Sequence, residues 1–131
     1  MGVVYHANFF IWFEVGRVEL LRQLGLDYKN REEEFHIAVV EASCRYKSPA
    51  RYDDELILET HVVALRRSVL KFGYRVLRDE TGSLRLLADG GTTHVVVDRH
   101  LRKIDLPKRF ATALEQFRNG QFMAPIPDNG L

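Results

Sequence analysis

The sequence predicts an α+β domain: a curved antiparallel sheet wrapped around one long apolar helix. Three observations predict it. A 16-residue stretch near the start, residues 9–24, reads as helix and is apolar on more than one side. Two later stretches, 55–65 and 69–78, alternate apolar and polar residues with the period of two that marks strands. The connections between those stretches are short, so neighbouring strands run antiparallel. A sheet with one greasy face and a helix of this kind bury each other, which is the simplest way to satisfy both.

The helix comes first. Gly2-Val3-Val4-Tyr5-His6-Ala7 is a Gly-led turn, and Asn8 is the expected N-cap, its side-chain oxygen accepting from a first-turn amide. The helix is expected from Phe9 to Leu24, with Gly25 at the position that needs a left-handed backbone. At about 100° per residue Phe9, Phe13, Gly16, Leu20 and Leu24 share a face, while Ile11, Val15 and Val18 fall opposite. Glu14, Arg17, Glu19 and Arg22 interrupt the run, which excludes a membrane span and leaves a central helix covered all round.

A charged connection follows, Asp27 to Glu34, expected as a solvated loop or short helix. Phe35–Tyr46 is the first strand, rich in β-branched residues, and Pro49 breaks the chain after it. Glu55–Leu65 is a long alternating strand, Arg66-Arg67-Ser68 a polar connection, and Val69–Arg78 the next strand. Asp79-Glu80-Thr81-Gly82 is a hairpin turn. Leu84–Ala88 and Thr92–Asp98 form a last strand or strand pair, with Gly90-Gly91 marking a bulge or a close approach of another backbone or a ligand. Leu106-Pro107 opens a C-terminal helix that ends near Phe117, with Pro in its first turn. Residues 1–118 make one domain, and residues 119–131 are expected as a loose tail.

Composition bounds the function. With 131 residues there is one core, and a formal net charge of +1 gives no pull toward nucleic acid or a membrane surface. The one cysteine, Cys44, forbids an internal disulfide, fits a reducing cytoplasm and sits in a strand as a packed thiol rather than a nucleophile. No basic and apolar leader opens the chain. No Cys/His/Asp cluster has zinc-ligand spacing, and no Ser elbow or phosphate loop occurs, so neither metal nor organic cofactor is expected.

Gly2-Val3-Val4-Tyr5-His6-Ala7-Asn8-Phe9, then Trp12-Phe13-Glu14, Arg17 and Leu20-Leu21, resembles the hotdog-fold acyl-CoA thioesterases of the 4-hydroxybenzoyl-CoA thioesterase family, in particular its Tol-Pal-associated branch. Tyr46-Lys47-Ser48-Pro49-Ala50-Arg51-Tyr52-Asp53-Asp54 and Ala88 to Asp98 extend the resemblance over roughly residues 1 to 110. It implies hydrolysis of acyl-CoA thioesters without a cofactor, in a homodimer or homotetramer whose edges are covered by assembly. It further implies that the carbonyl is polarised by the backbone N–H of His6 at the start of the helix. Free amides and the helix dipole suit a developing oxyanion.

The same resemblance places the family's carboxylate, an Asp, three positions before Gly2, upstream of Met1, so the start of the chain is expected to lie further upstream. The substitutes within the chain are His6 as general base, Glu14, and Tyr5 as pocket lining or donor to a water. Against these stand a structural His6, a Glu14–Arg17 ion pair at i, i+3, and a packed Tyr5. Gly2 and Asn8 are candidate substrate contacts, and Arg66, Arg67 and Ser68 are candidates for the CoA phosphates. His61 and His94 are expected as lining or core residues. Two alternatives are a hotdog module that binds acyl-CoA or an acyl carrier protein without turnover, and a dehydratase pairing His6 with a carboxylate across a dimer.

Overall fold

The structure, a computed structural model, describes residues 2–26 and 35–126. In chain order these form α1 (Asn8–Gln23), β1 (Phe35–Tyr46), β2 (Leu56–Arg66), β3 (Val69–Glu80), β4 (Ser83–Asp98), α2 (Lys108–Phe117) and β5 (Phe122–Pro125). The strands make one antiparallel sheet in the order β1-β4-β3-β2-β5. The charged connection expected at residues 27–34 lies outside the described residues.

The alternation read from the sequence becomes the two faces of this sheet. Leu58, Val76 and Ala88 stand in register, as do Thr60, Tyr74 and Gly90, then Val62, Phe72 and Thr92, then Leu70 and His94. Apart from Gly90, all of these side chains are buried on the face that carries the helices. α1 settles on that face through Phe9, Trp12, Phe13, Gly16, Leu20 and Leu21. Its C-terminus closes as expected: Gly25 takes φ +76°, the Leu26 amide donates to the Leu21 carbonyl and the Gly25 amide to the Arg22 carbonyl. Those are the two bonds of a Schellman motif.

Four expectations are corrected. First, the sheet is covered by two helices rather than one: α2 buries Phe110 and Leu114 in the same core, and Phe110 meets Phe35 edge-on with centroids 5.0 Å apart. Second, α1 is not wrapped all round, because Ile11, Val15 and Val18 are 46%, 47% and 46% exposed. Third, Gly90-Gly91 is no bulge. Both residues pair regularly in an unbroken 16-residue β4, and the extra residue is Leu87, between the pairs Val76–Ala88 and Leu77–Leu86. The other sequence reading of these glycines holds, since a Cβ at Gly90 would run into the Ser43 carbonyl and the Phe13 ring. Fourth, the segment expected as a loose tail carries β5, which pairs with β2 from Ile57 to Thr60. An available strand edge recruits it, and no local pattern announces that.

The turns follow their chemistry. Arg67-Ser68 and Thr81-Gly82 are two-residue hairpin loops, the second with positive φ at both positions, which gives the twist that suits antiparallel strands. Pro107 stands at the N-cap of α2 instead of inside its first turn.

Candidate active site

The start of α1 is tied to the loop that follows β1. The Val4 amide donates to the Ala50 carbonyl at 2.7 Å, Val3 bridges Arg51, and the Tyr52 amide donates to the Gly2 carbonyl. Gly2 reaches this position with φ +72°, which only a residue without a Cβ adopts freely. From there the chain turns at once. The amides of Asn8, Phe9 and Phe10 donate to the carbonyls of Tyr5, His6 and Ala7, so a tight turn precedes the regular helix.

This turn corrects the reading of Asn8. The N-cap is Ala7, already in helical conformation, and no side chain caps the helix. Asn8 is the first helical residue, with its amide already bonded to Tyr5. Among the described residues no carbonyl accepts from the amides of His6 and Ala7. With the Tyr5 amide, for which no such acceptor is found either, three adjacent donors reinforced by the positive end of a 16-residue helix are thus left at its tip.

A cavity of about 310 Å³ opens beside them. Val3, Val4, His6 and Phe9 line it from the helix side, and Tyr46, Lys47, Ser48, Pro49 and Ala50 from the loop. The Tyr46 hydroxyl donates to the His6 carbonyl at 2.9 Å, and its ring meets Phe9 edge-on at 5.1 Å. The chain beyond Tyr46 is held by two amides, of Lys47 and Ser48, that both donate to the Leu87 carbonyl. The walls are thus largely apolar, with His6 and the exposed Lys47 among the residues that line them. Such a site takes an apolar group and stabilises negative charge on an oxygen placed at the helix tip.

The remaining sequence candidates do not all gather here. His6 lines the cavity but is exposed, and Tyr5 is 61% exposed with its ring against His6 at 4.4 Å. Glu14 stands about 12 Å further along the helix, at roughly 1.5 Å per residue from His6. It is exposed and lines none of this cavity. The expected Glu14–Arg17 pair is not formed. Arg17 turns inward and donates to the Tyr74 hydroxyl at 3.1 Å. That hydroxyl bonds Thr92 at 2.7 Å, and Thr92 bonds His94 Nε2 at 2.8 Å. His94 is fully buried, and burial together with the nearby Arg17 charge lowers its pKa to about 4. It is a core histidine, as expected. Burial likewise raises the Cys44 thiol, in keeping with a packed rather than reactive cysteine.

Arg66, Arg67 and Ser68 lie at the opposite end of the sheet. In register, Arg66 stands beside Val69, Val95 and Ala38, whereas Tyr46 stands beside Ala88. Eight residues of β1 separate the two levels, roughly 25 Å at strand spacing. Ser68 is buried and its hydroxyl donates to Asp105 at 3.4 Å, which removes it as a phosphate contact; the two arginines are exposed. Sequence reasoning missed Lys47 and Tyr46 as site residues. Both stand in a quoted motif, but only the fold brings that motif to the helix tip.

Comparison with known proteins gives a consistent result. Residues 1–114 match the family described as the thioesterase-like superfamily. The chain is 30% identical over 129 residues to the putative acyl-CoA thioesterase YneP of Bacillus subtilis, covering 98% of this chain and 80% of that one. It is 30% identical over 117 residues to the acyl-CoA thioester hydrolase YbgC of Escherichia coli, covering 88% and 85%. Among solved structures, the Thermus thermophilus protein TT1821 superposes with a TM-score of 0.77 at 32% identity, covering 88% of this chain and 87% of that one.

Proposed function

Because the chain belongs to the thioesterase-like superfamily, we propose that it hydrolyses acyl-CoA thioesters to the free acid and CoA. One observation carries this reading: the amides of His6 and Ala7, from which no carbonyl among the described residues accepts, stand at the tip of α1 beside a largely apolar cavity of about 310 Å³. The acyl group lies in the cavity against Phe9 and Tyr46, and the thioester oxygen meets the amides. Attack on that carbonyl moves charge onto the oxygen, and preorganised donors stabilise it without reorganising. The nucleophilic water is activated by a general base, and among the described residues His6 is the one placed to serve, since Tyr5 is exposed and Glu14 is remote. The likeness to the Tol-Pal-associated branch belongs to this reading.

The enzyme works as a homodimer or homotetramer in the cytoplasm. β1 is an edge strand of 12 residues, and Val39 and Val40 on it are 51% and 60% exposed. Two copies pairing antiparallel through β1 bring the Arg66-Arg67 end of one beside the helix tip of the other. That placement resolves the 25 Å separation within a single chain and lets the arginines hold the phosphates of CoA.

Release of free thiol from a panel of short, long and aromatic acyl-CoAs tests the proposal, with turnover of at least one class expected. Tight binding without thiol release from any of them would instead make the protein a non-catalytic acyl-CoA or acyl-carrier-protein module.

A further inference from the structure

We infer that Tyr46 is a positioning residue for this hydrolysis: by donating to the His6 carbonyl it fixes the turn whose amides receive the thioester oxygen. The inference rests on the thioesterase reading and adds a residue to it.

The geometry is specific. The turn from Gly2 to Asn8 touches the loop after β1 at three backbone points, Gly2, Val3 and Val4, all before the free amides begin. Beyond them, the Tyr46 hydroxyl holds the His6 carbonyl at 2.9 Å. The same carbonyl accepts from the Phe9 amide at 3.2 Å, so it is bonded from the helix and from the sheet together. A carbonyl and the following N–H share one rigid peptide plane, and fixing the His6 oxygen therefore fixes the direction of the Ala7 amide. It also polarises that plane, which makes the amide a better donor.

Tyr46 is itself held at both ends. Its ring meets Phe9 at 5.1 Å and His6 at 6.1 Å, nearly perpendicular to each, and the backbone just after it is clamped by the Leu87 carbonyl. Desolvation pushes its pKa up to about 12, so the proton it donates stays in place throughout the working range of pH. The sheet thus sets the angle of the helix tip through one phenol. Substrate affinity comes from the apolar walls, the Tyr46 ring among them, and from the CoA contacts, not from this hydrogen bond. Loosening this bond should accordingly act on the transition state more than on binding.

The experiment compares wild type, Tyr46→Phe and a protein carrying 3,5-difluorotyrosine at position 46, using the best acyl-CoA found in the panel. Phe keeps the ring contacts with His6 and Phe9 and removes only the donor. The expected result is a fall in kcat of about 10- to 100-fold with KM changed less than threefold, the size typical of a misaligned site. The fluorinated tyrosine keeps shape and donor but has a more acidic phenol. Its kcat should match wild type at low pH and decline on the alkaline side as the phenol ionises, where wild type does not, a profile that a merely structural ring cannot produce. This arm decides the matter even if Tyr46→Phe folds poorly. An active wild type with an unchanged kcat in Tyr46→Phe, or with no alkaline decline in the fluorinated protein, overturns the inference alone. A wild type inactive on every acyl-CoA overturns the thioesterase reading and the inference with it.

Discussion

The ring of Phe13 lies directly against the backbone of Gly90: a Cβ at position 90 would sit 2.8 Å from Phe13 Cε2 and would also strike the Ser43 carbonyl of the neighbouring strand. Phe13 is fully buried and stacks on Tyr74 with centroids 4.4 Å apart, so it cannot retreat. The absent side chain at 90 is therefore what lets α1 settle onto β4. Gly90→Ala should cost about 2–3 kcal/mol, the range of overpacked cores. A thermal unfolding midpoint lowered by about 10 °C is expected. A midpoint within a degree or two of wild type would show that the helix can ride outward without penalty.

The chain from Arg17 through Tyr74 and Thr92 to His94 crosses the core and ends on a histidine kept neutral. Its folded pKa of about 4 lies below the ordinary value of about 6.5. The unfolded chain therefore takes up a proton as pH falls through 6.5, while the folded chain does so only near 4. Stability present above pH 6.5 is lost across that window, by about 3–4 kcal/mol in total. Denaturant unfolding at pH 7.5, 6, 5 and 4 measures this. His94→Gln, which has no titrating ring, should flatten that part of the curve; an unchanged slope would put the loss on the carboxylates.

Tyr74 is the junction of the same chain. Tyr74→Phe leaves the stack on Phe13 intact but strips Arg17 and Thr92 of their shared partner. A loss of about 1–3 kcal/mol in urea titration is expected, the cost of removing the hydroxyl to which Arg17 donates, while Thr92 keeps its bond to His94.

Charge reversal at Arg66 and Arg67 separates the binding of CoA from the chemistry. The double variant Arg66→Glu, Arg67→Glu should raise the KM for acyl-CoA about tenfold, equivalent to about 1.4 kcal/mol. It should also flatten the dependence of KM on salt, because two phosphate contacts are gone. An unchanged KM at low ionic strength would take both arginines out of the site.

Val40 tests the assembly through β1. It is 60% exposed on an edge strand, at the register shift between Val39 and Glu41. Val40→Asp should yield a monomer by light scattering and lower thioesterase activity at least tenfold, the partner's arginines being lost. An active monomer would place the whole site in one chain.

How much of this was legible beforehand depended on whether the deciding forces were local. The period of two in 55–65 and 69–78 located β2 and β3 to within two residues, since each side chain's face is set by its own backbone. Gly25 and Gly82 were readable because positive φ selects glycine at once. Asn8 was misjudged as a cap because Val4 and His6 are tied to Ala50 and Tyr46, which draws the turn one residue forward. Arg17 was matched with the neighbour three residues away, whereas its partner Tyr74 is 57 residues distant. The helix tip itself was legible through a resemblance in the motif, but the cavity beside it is half built by the loop after β1, whose approach no spacing in the sequence encodes.

The two borders of the sheet are finished differently. β5 lies along the first part of β2, and an extra residue at Val63 kinks the remainder, while among the described residues no strand pairs with the outer side of β1. A ribbon that is hemmed on one side and raw on the other has a single place to join. Two copies joined there about a twofold axis would each cover the other's open edge. The same C-terminal residues that neaten one border thereby take the first part of β2 out of reach of strand-to-strand growth.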